Sequence, residues 1–280
     1  MPSVAVNGAR LWVEDTGAPA AGAPGAPVVF SHGLLWSGRM FDAQVAALRG
    51  RHRCVAYDHR GQGRSDPAPG RGPVAIEQCY EDAVTLLEQL ALGPVHFVGL
   101  SMGGFVGMRL AARRPELVRS LALLETSADA EPEENRPKYR RLANVVRWLG
   151  PRPVAGRVMP IMFGRTFLTD PARAGERDRW RRYLLGNRRA IHRAVAGVVD
   201  RLGVADELPR ITAPTLVVVG DEDVATVPAK AERIRGLIPG ARLVVVRGAG
   251  HSSSVEQPER VTEALESFLA EVDAPRGAAA

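Results

Sequence analysis

The sequence is poor in several features that mark particular classes of protein. Its only two cysteines, Cys54 and Cys79, each lie in a predicted element with apolar neighbours. Two lone thiols predict buried free cysteines and fit a reducing compartment. No run approaches the ~20 apolar residues that span a bilayer, and the N-terminus lacks the pattern of a signal peptide. We therefore expect a cytoplasmic protein without a membrane partner.

Aromatic residues make up only 5% of the chain, and Lys138 and Lys230 are the only lysines among its 37 basic residues. The net charge is +6, and residues 129–210 hold 18 basic and 10 acidic residues. Without a recognised motif or aromatics for base stacking, this arginine excess predicts a solvated surface rather than a nucleic-acid partner. The chain also lacks a Cys or His cluster with metal spacing and a phosphate loop, so we expect no metal and no organic cofactor.

Short apolar runs alternate with amphipathic helical patterns over most of the chain. The first two runs flank Asn7-Gly8, which is a strong hairpin-turn signal. The alternation predicts an α/β fold with a mostly parallel, eight-stranded sheet flanked by helices. It stops after the sixth strand, where residues 129–207 are helix-like and contain no convincing strand. We therefore expect a core built from 1–128 and 208–280, with a helical insert between them.

The stretch FVGLSMGG, residues 97–104, places Ser101 between a predicted strand and a predicted helix. The pattern G-x-S-x-G in this position is typical of a nucleophile elbow, where glycines make room for a strained serine. An ordinary structural turn is the alternative interpretation. We expect Ser101 to be a nucleophile.

A serine hydroxyl needs a base, and the base needs an acid to orient it. His251 follows the last predicted strand, at the sheet edge where sites form. Asp223 follows the strand before it, which gives the chain order Ser, acid, His expected for this elbow. Asp221 and Glu125 are left open as alternative acids.

The oxyanion of such a reaction needs two N–H donors. One is expected from Met102, directly after the nucleophile, and the other from Leu34, in the loop after VVFSHG. Both are backbone donors, so Gly33 matters because it lets the loop approach closely.

Together these segments resemble the α/β-hydrolase-fold proteins along essentially the whole chain. The residues that carry the resemblance are SHGLLWSGRMFDAQ, YDHRGQGRSD, VGLSMGG, VVVGDEDVATVP and GAGHSSSVEQPE. The resemblance implies that residues 129–207 form a helical cap that covers the site and selects substrates. A serine rather than an aspartate nucleophile argues against haloalkane dehalogenases and epoxide hydrolases. The chain is similar to capped carboxylesterases and 3-oxoadipate enol-lactonases, although Val227 interrupts their usual D-x-x-x-P pattern.

We therefore expect a serine hydrolase that cleaves a carboxylic ester or lactone of a small apolar molecule. C–C bond or enol-lactone hydrolysis, perhydrolase or acyl-transfer activity, and a ligand-binding receptor on the same fold are left open. Leu35, Trp36, Met162 and Phe163 are the expected substrate-binding residues, with core packing as the alternative for the cap residues among them. A homodimer is also left open.

Overall fold

In the part of the chain that the structure describes, eight strands pair into one sheet. Their bounds are β1 (Ser3–Val6), β2 (Ala9–Asp15), β3 (Gly25–Ser31), β4 (His52–Tyr57), β5 (Val95–Leu100), β6 (Val118–Leu124), β7 (Thr215–Gly220) and β8 (Arg242–Val246). The strand order is β1-β2-β4-β3-β5-β6-β7-β8. Strand β2 pairs antiparallel with β1 and β4, and all other pairs are parallel. The predicted mostly parallel, eight-stranded sheet is confirmed.

The computed structural model describes residues 3–19 and 25–274. The glycine- and alanine-rich stretch 17–27, which reads as a loop, lies partly outside these residues, and its last part begins β3. The alanine-rich C-terminal end lies almost wholly outside them. Within the described residues no helix is long and apolar enough to cross a membrane.

The predicted hairpin joins β1 to β2. Asn7 and Gly8 both have positive φ angles, 43° and 76°. Two consecutive left-handed residues form the two-residue turn whose twist matches that of antiparallel strands, which explains the preference for Asn-Gly at this position.

Helices cover both faces of the sheet. Their bounds are α1 (Asp42–Leu48), α2 (Ile76–Gln89), α3 (Met102–Arg113), α4 (Arg136–Leu149), α5 (Ala155–Met162), α6 (Arg165–Thr169), α7 (Ala174–Leu185), α8 (His192–Val199), α9 (Pro228–Leu237), α10 (Ser253–Glu256) and α11 (Pro258–Asp273). Helices α2, α3 and α9 pack into the apolar core on one face, and α1 and α11 pack into the core on the other. Because helices shield both faces, the central strand β5 is buried along its whole length.

Five helices, α4 to α8, lie between β6 and β7 in the chain. Their apolar side chains, such as Val158, Phe167 and Leu184, join the core cluster that also contains α1 and α11. The helical character expected for this segment is therefore present, while its exact limits as a separate cap domain stay a prediction.

The strand order reverses at β3. The chain passes from β3 to β4 on one side, and β5 lies on the other side of β3. In open α/β sheets, ligands bind at the carboxyl ends of the strands where the order reverses. The loop after β3 and the turn after β5 meet there, and these segments carry Leu34 and Ser101.

Candidate active site

Ser101 occupies a strained turn between β5 and α3. Its φ and ψ angles are 53° and −108°, which L-residues rarely adopt. Neighbouring backbone atoms leave no room for a side chain at the two flanking glycines. A Cβ on Gly103 would lie 1.9 Å from the carbonyl oxygen of Ser31, and a Cβ on Gly99 would lie 2.4 Å from the carbonyl oxygen of Gly103. The Ser101 N–H also donates to the Leu124 carbonyl oxygen at 2.8 Å. The glycines are thus required by sterics, as the sequence pattern indicates.

His251 joins the serine to an acid. Its Nε2 lies 2.9 Å from Ser101 Oγ, and its Nδ1 lies 2.9 Å from Asp223 Oδ2. A carboxylate beside Nδ1 favours the tautomer that carries the proton on Nδ1. That tautomer leaves the lone pair of Nε2 facing the serine hydroxyl. All three side chains are buried, so their mutual hydrogen bonds operate away from bulk water.

Asp223 is held by the turn that follows β7. Its Oδ1 accepts hydrogen bonds from the N–H groups of Ala225 and Thr226, at 2.8 and 2.9 Å, and its Oδ2 accepts one from Thr226 Oγ1 at 2.7 Å. Burial raises the pKa of Asp223, but His251 and the hydrogen bonds of Thr226 outweigh it and hold that pKa below its usual value. Thr226 Oγ1 also lies 3.2 Å from His251 Nδ1. Thr226 is not among the site residues predicted from the sequence, although the spacing D-x-x-T after a strand is a signal for such a turn.

The two acids before Asp223 contact other parts of the fold. Asp221 Oδ1 accepts a hydrogen bond from the Gly248 N–H at 2.8 Å, which braces the loop after β8. Glu222 accepts hydrogen bonds from the N–H and hydroxyl of Thr166, at 2.7 and 2.6 Å, and so ties α6 to the sheet. Of the three consecutive acids, Asp223 is the one that reaches His251.

Glu125, the other alternative acid, follows β6 and is fully buried. Neither of its carboxyl oxygens has a hydrogen-bond partner among the described residues. Burial raises the pKa of Glu125 well above its usual value, and the nearby charges of Asp223 and Glu256 raise it further. Glu125 therefore favours its protonated, neutral form, and among the described residues it makes no hydrogen bond to His251.

The two expected oxyanion donors come from separate segments: Leu34 lies in the loop after β3, and Met102 begins α3. A Cβ on Gly33 would lie 3.5 Å from Ser101 Cβ, so the loop that carries Leu34 passes close to the nucleophile. The neighbouring Leu35 N–H is already used, because it donates to Gln62 Oε1 at 3.0 Å. Within the described residues, the N–H groups of Leu34 and Met102 donate to no other group. Their role as oxyanion donors stays a prediction that this arrangement supports.

His32 stabilises the same loop. Its Nδ1 lies 2.7 Å from the Gly33 carbonyl oxygen, and its Nε2 accepts a hydrogen bond from the His59 N–H at 2.9 Å. Burial lowers the pKa of His32, which keeps this imidazole neutral and suited to donate once and accept once.

A cavity of about 130 Å³ opens between the sheet and helices α4, α5, α7 and α8. Ser101 and His251 lie in its wall, together with the predicted binding residues Leu35 and Met162. Most of the remaining lining is aliphatic. A dry apolar cavity of about 150 Å³ holds benzene in another protein, so this one has room for a ligand portion of about six carbon atoms.

Trp36 and Phe163, the other two predicted binding residues, are not in the cavity wall. The Trp36 ring centroid lies 5.6 Å from that of Phe163 and 5.2 Å from that of Trp180. Phe163 also stacks on Phe167 at 4.8 Å. Packing among these aromatic rings draws both side chains into the interface between the helices and the sheet, so their contribution is to hold the helices in place.

The described residues contain one group with the side chains needed to bind a metal ion, although the sequence predicts none. His52, His96 and Asp273 have ligand atoms within 4.8 Å of one another. His52 and His96 lie near the amino ends of β4 and β5, whereas Ser101 follows the carboxyl end of β5. Asp273 ends α11, and Arg119 already donates to its Oδ1 at 2.6 Å. These three side chains are therefore not placed to bind a metal ion at Ser101.

Comparisons with known proteins agree on one fold. A family model described as the alpha/beta hydrolase fold matches residues 26–258. The chain is 31% identical to the proposed carbamate hydrolase RutD of Variovorax paradoxus, over 90% of this chain and 95% of that protein. Among solved structures it is similar to a thermophilic esterase from Thermogutta terrifontis, with 31% identity, a TM-score of 0.87 and 98% of each chain covered. It is also similar to the enol-lactonase from Burkholderia xenovorans LB400, with 30% identity, a TM-score of 0.87, and 96% of this chain and 99% of that one covered.

Proposed function

Because this chain belongs to the alpha/beta hydrolase fold family, we propose that it is a serine hydrolase that cleaves a carboxylic ester or lactone through an acyl-enzyme. The observation that carries this proposal is the unbroken chain of hydrogen bonds from Asp223 through His251 to Ser101, at the wall of an apolar cavity. The relatives named as an esterase and an enol-lactonase act on the two bond types that we propose.

In the acylation step, Ser101 Oγ attacks the carbonyl carbon of the substrate while His251 Nε2 takes the hydroxyl proton. The N–H groups of Leu34 and Met102 stabilise the negative charge that develops on the carbonyl oxygen. When the tetrahedral intermediate collapses, the bond to the alcohol oxygen breaks, and His251 gives its proton to that oxygen. Ser101 is then an ester of the substrate acid.

In the deacylation step, His251 takes a proton from water, and the resulting hydroxide attacks the acyl-enzyme. The second intermediate releases the carboxylic acid, and the proton returns to Ser101 Oγ. Asp223 is a positioning residue, because it holds the proton of His251 on Nδ1 and stabilises the imidazolium in both steps.

The segment between β6 and β7 supplies most of the cavity wall, so we propose that residues 129–207 act as a substrate-selecting cap. The two thiols of the chain, Cys54 and Cys79, are buried and free. This arrangement fits the reducing cytoplasm that we propose as its compartment.

The proposal is tested with p-nitrophenyl esters of increasing acyl length and with small lactones. A cavity for about six carbon atoms predicts that kcat/KM rises up to acyl chains of about that length and falls beyond it. Ser101→Ala should lower kcat by about 10⁴-fold or more. Ser267→Ala is the matched control, because Ser267 is exposed on α11, far from the cavity. Near-normal turnover by Ser101→Ala, with the fold intact, would show that another group performs the reaction.

A further inference from the structure

A polar cluster interrupts the mostly aliphatic wall of the cavity. It consists of Arg201, Glu131 and Tyr139, and we call it the distal cluster. The guanidinium carbon of Arg201 lies 4.3 Å from the ring centroid of Phe105. Phe105 lies one helical turn beyond Ser101 on α3, since its N–H donates to the Ser101 carbonyl oxygen at 3.0 Å. The distal cluster is therefore offset from the nucleophile along the cavity.

Arg201 keeps hydrogen-bond donors that no described residue uses. Its Nη1 donates to Glu131 Oε2 at 2.9 Å and to the Val198 carbonyl oxygen at 2.8 Å. Its Nε is buried and has no partner, and its Nη2 donates to none of the described residues. The Tyr139 hydroxyl likewise makes no hydrogen bond within the described part of the chain. A buried donor is normally paired because an unpaired one is costly, so the unpaired Arg201 Nε beside a ligand-sized cavity points to an acceptor on the ligand.

The charge of the distal cluster limits the kind of acceptor. Arg201 is only 5% exposed, and its positive charge is balanced by Glu131, whose Oε1 also accepts from Asn135 Nδ2 at 3.2 Å. A carboxylate placed here would meet the negative charge of Glu131 at low dielectric. A neutral carbonyl oxygen takes the same hydrogen bonds without that repulsion.

We propose that Arg201 and Tyr139 form a subsite for a second, neutral carbonyl group, so that the preferred substrates are oxo-substituted esters or lactones. The ester carbonyl lies at Ser101, and the second carbonyl oxygen accepts hydrogen bonds from the Arg201 guanidinium and the Tyr139 hydroxyl. This inference rests on the proposed ester or lactone hydrolysis and names the class of substrate for it.

The test compares pairs of esters of equal length in which one methylene is replaced by a ketone. The ketone is placed at successive positions, in the acyl chain in one series and in the alcohol chain in another. Hemi-esters that end in a carboxylate serve as the anionic comparison. The wild type should show kcat/KM about tenfold or more higher for the best oxo ester than for its alkyl counterpart, because hydrogen bonds to charged donors are strong.

Two variants remove the subsite in different ways. Tyr139→Phe deletes only a hydroxyl and should lower kcat/KM for the oxo esters more than for the alkyl esters, so that the oxo preference falls. The double variant Arg201→Met with Glu131→Gln removes the ion pair as a unit, so no unpaired charge stays buried, and it should abolish the preference. Arg140→Met is the matched control, because Arg140 forms an exposed ion pair with Asp200 in the same helical segment. It should keep the full preference.

A third variant tests the charge argument. Glu131→Gln leaves the Arg201 charge unbalanced and should shift the preference towards the hemi-esters. The inference is overturned if the wild type shows no oxo preference in either series, if it prefers hemi-esters, or if the double variant and Tyr139→Phe lower oxo and alkyl esters equally. Failure of the proposed function would look different, because neither alkyl nor oxo esters would then be hydrolysed by the wild type.

Discussion

Replacing Asp223 by asparagine tests the acid of the site with almost no change in shape. Asp223 Oδ1 accepts two backbone N–H groups, so the oxygen of the new amide is expected to take that position. The amide nitrogen then faces His251 Nδ1, which lies 2.9 Å from Asp223 Oδ2. A donor at this position forces Nδ1 to accept, and the proton of the imidazole moves to Nε2. His251 can then no longer take the proton of Ser101.

The size of the effect follows from this change of tautomer. The same replacement in a serine protease lowers kcat about 10⁴-fold, which corresponds to about 5 kcal/mol of transition-state stabilisation. We expect a similar loss here, because the carboxylate is buried and is the acid that contacts the histidine. Thermal stability should change far less, since the two backbone hydrogen bonds are kept.

The assay is kcat/KM on the best p-nitrophenyl ester, with the melting temperature measured in parallel. Asp221→Asn is the matched control: Asp221 also accepts a backbone N–H, from Gly248, but it does not contact His251. It should retain activity within about tenfold of the wild type. A loss of less than tenfold in Asp223→Asn, or a larger loss in Asp221→Asn, would refute the assignment. A large loss of kcat/KM in Glu125→Gln together with a small one in Asp223→Asn would identify Glu125, which follows β6, as the acid that orients His251.

Three further predictions concern stability and reactivity. Gly103→Ala should prevent folding or lower the melting temperature strongly, because its Cβ would lie 1.9 Å from a carbonyl oxygen of β3; Gly156→Ala, with open space around it, is the control and should be neutral or slightly stabilising. Glu125→Gln should gain stability relative to the wild type as pH rises. Burial raises the pKa of Glu125 in the folded state, so folding favours its protonated form. The stability that Glu125 contributes is therefore fully present below about pH 4.5, where the unfolded chain is also protonated. It is lost as pH rises through the folded-state pKa. Melting temperatures of both proteins at pH 5 and pH 8 check this, and an unchanged difference would contradict it. Burial raises the pKa of Cys54 and Cys79 to about 12. A thiol reagent should therefore label neither in the native protein within minutes and both after denaturation.

The parts of the site that sequence reasoning predicts are those set by local sterics and chain order. Gly99 and Gly103 flank Ser101 because backbone atoms occupy the space where their side chains would lie. The positions of Asp223 and His251 follow from apolar runs that end at the same edge of a parallel sheet.

The parts that sequence reasoning does not predict depend on packing between distant segments. Trp36 and Phe163 are large apolar residues near the site, and only their contacts with other aromatic rings distinguish core from cavity wall. Arg201 and Glu131 are 70 residues apart, so their ion pair requires the folded helices. The periodicity of apolar residues indicates which face of a helix or strand is buried, but not which element packs against that face. It therefore predicts neither feature.

The helical segment shows the same limit. The sequence predicts that this segment lacks strands, because the alternation of apolar runs stops after β6. Which of its residues line the cavity depends on the tilt of each helix over the sheet. Met162 lines it, whereas the adjacent Phe163 turns away to stack on Phe167.

The proposed reaction depends on the activation of Ser101 as a nucleophile by His251. The most direct measurement is the intact mass and peptide map of the native protein after exposure to a fluorophosphonate, with His251→Ala treated in parallel. We expect one label per chain, on Ser101, and its loss in His251→Ala while the fold is retained. Labelling of a different serine, or equal labelling of Ser101 with and without His251, would contradict it.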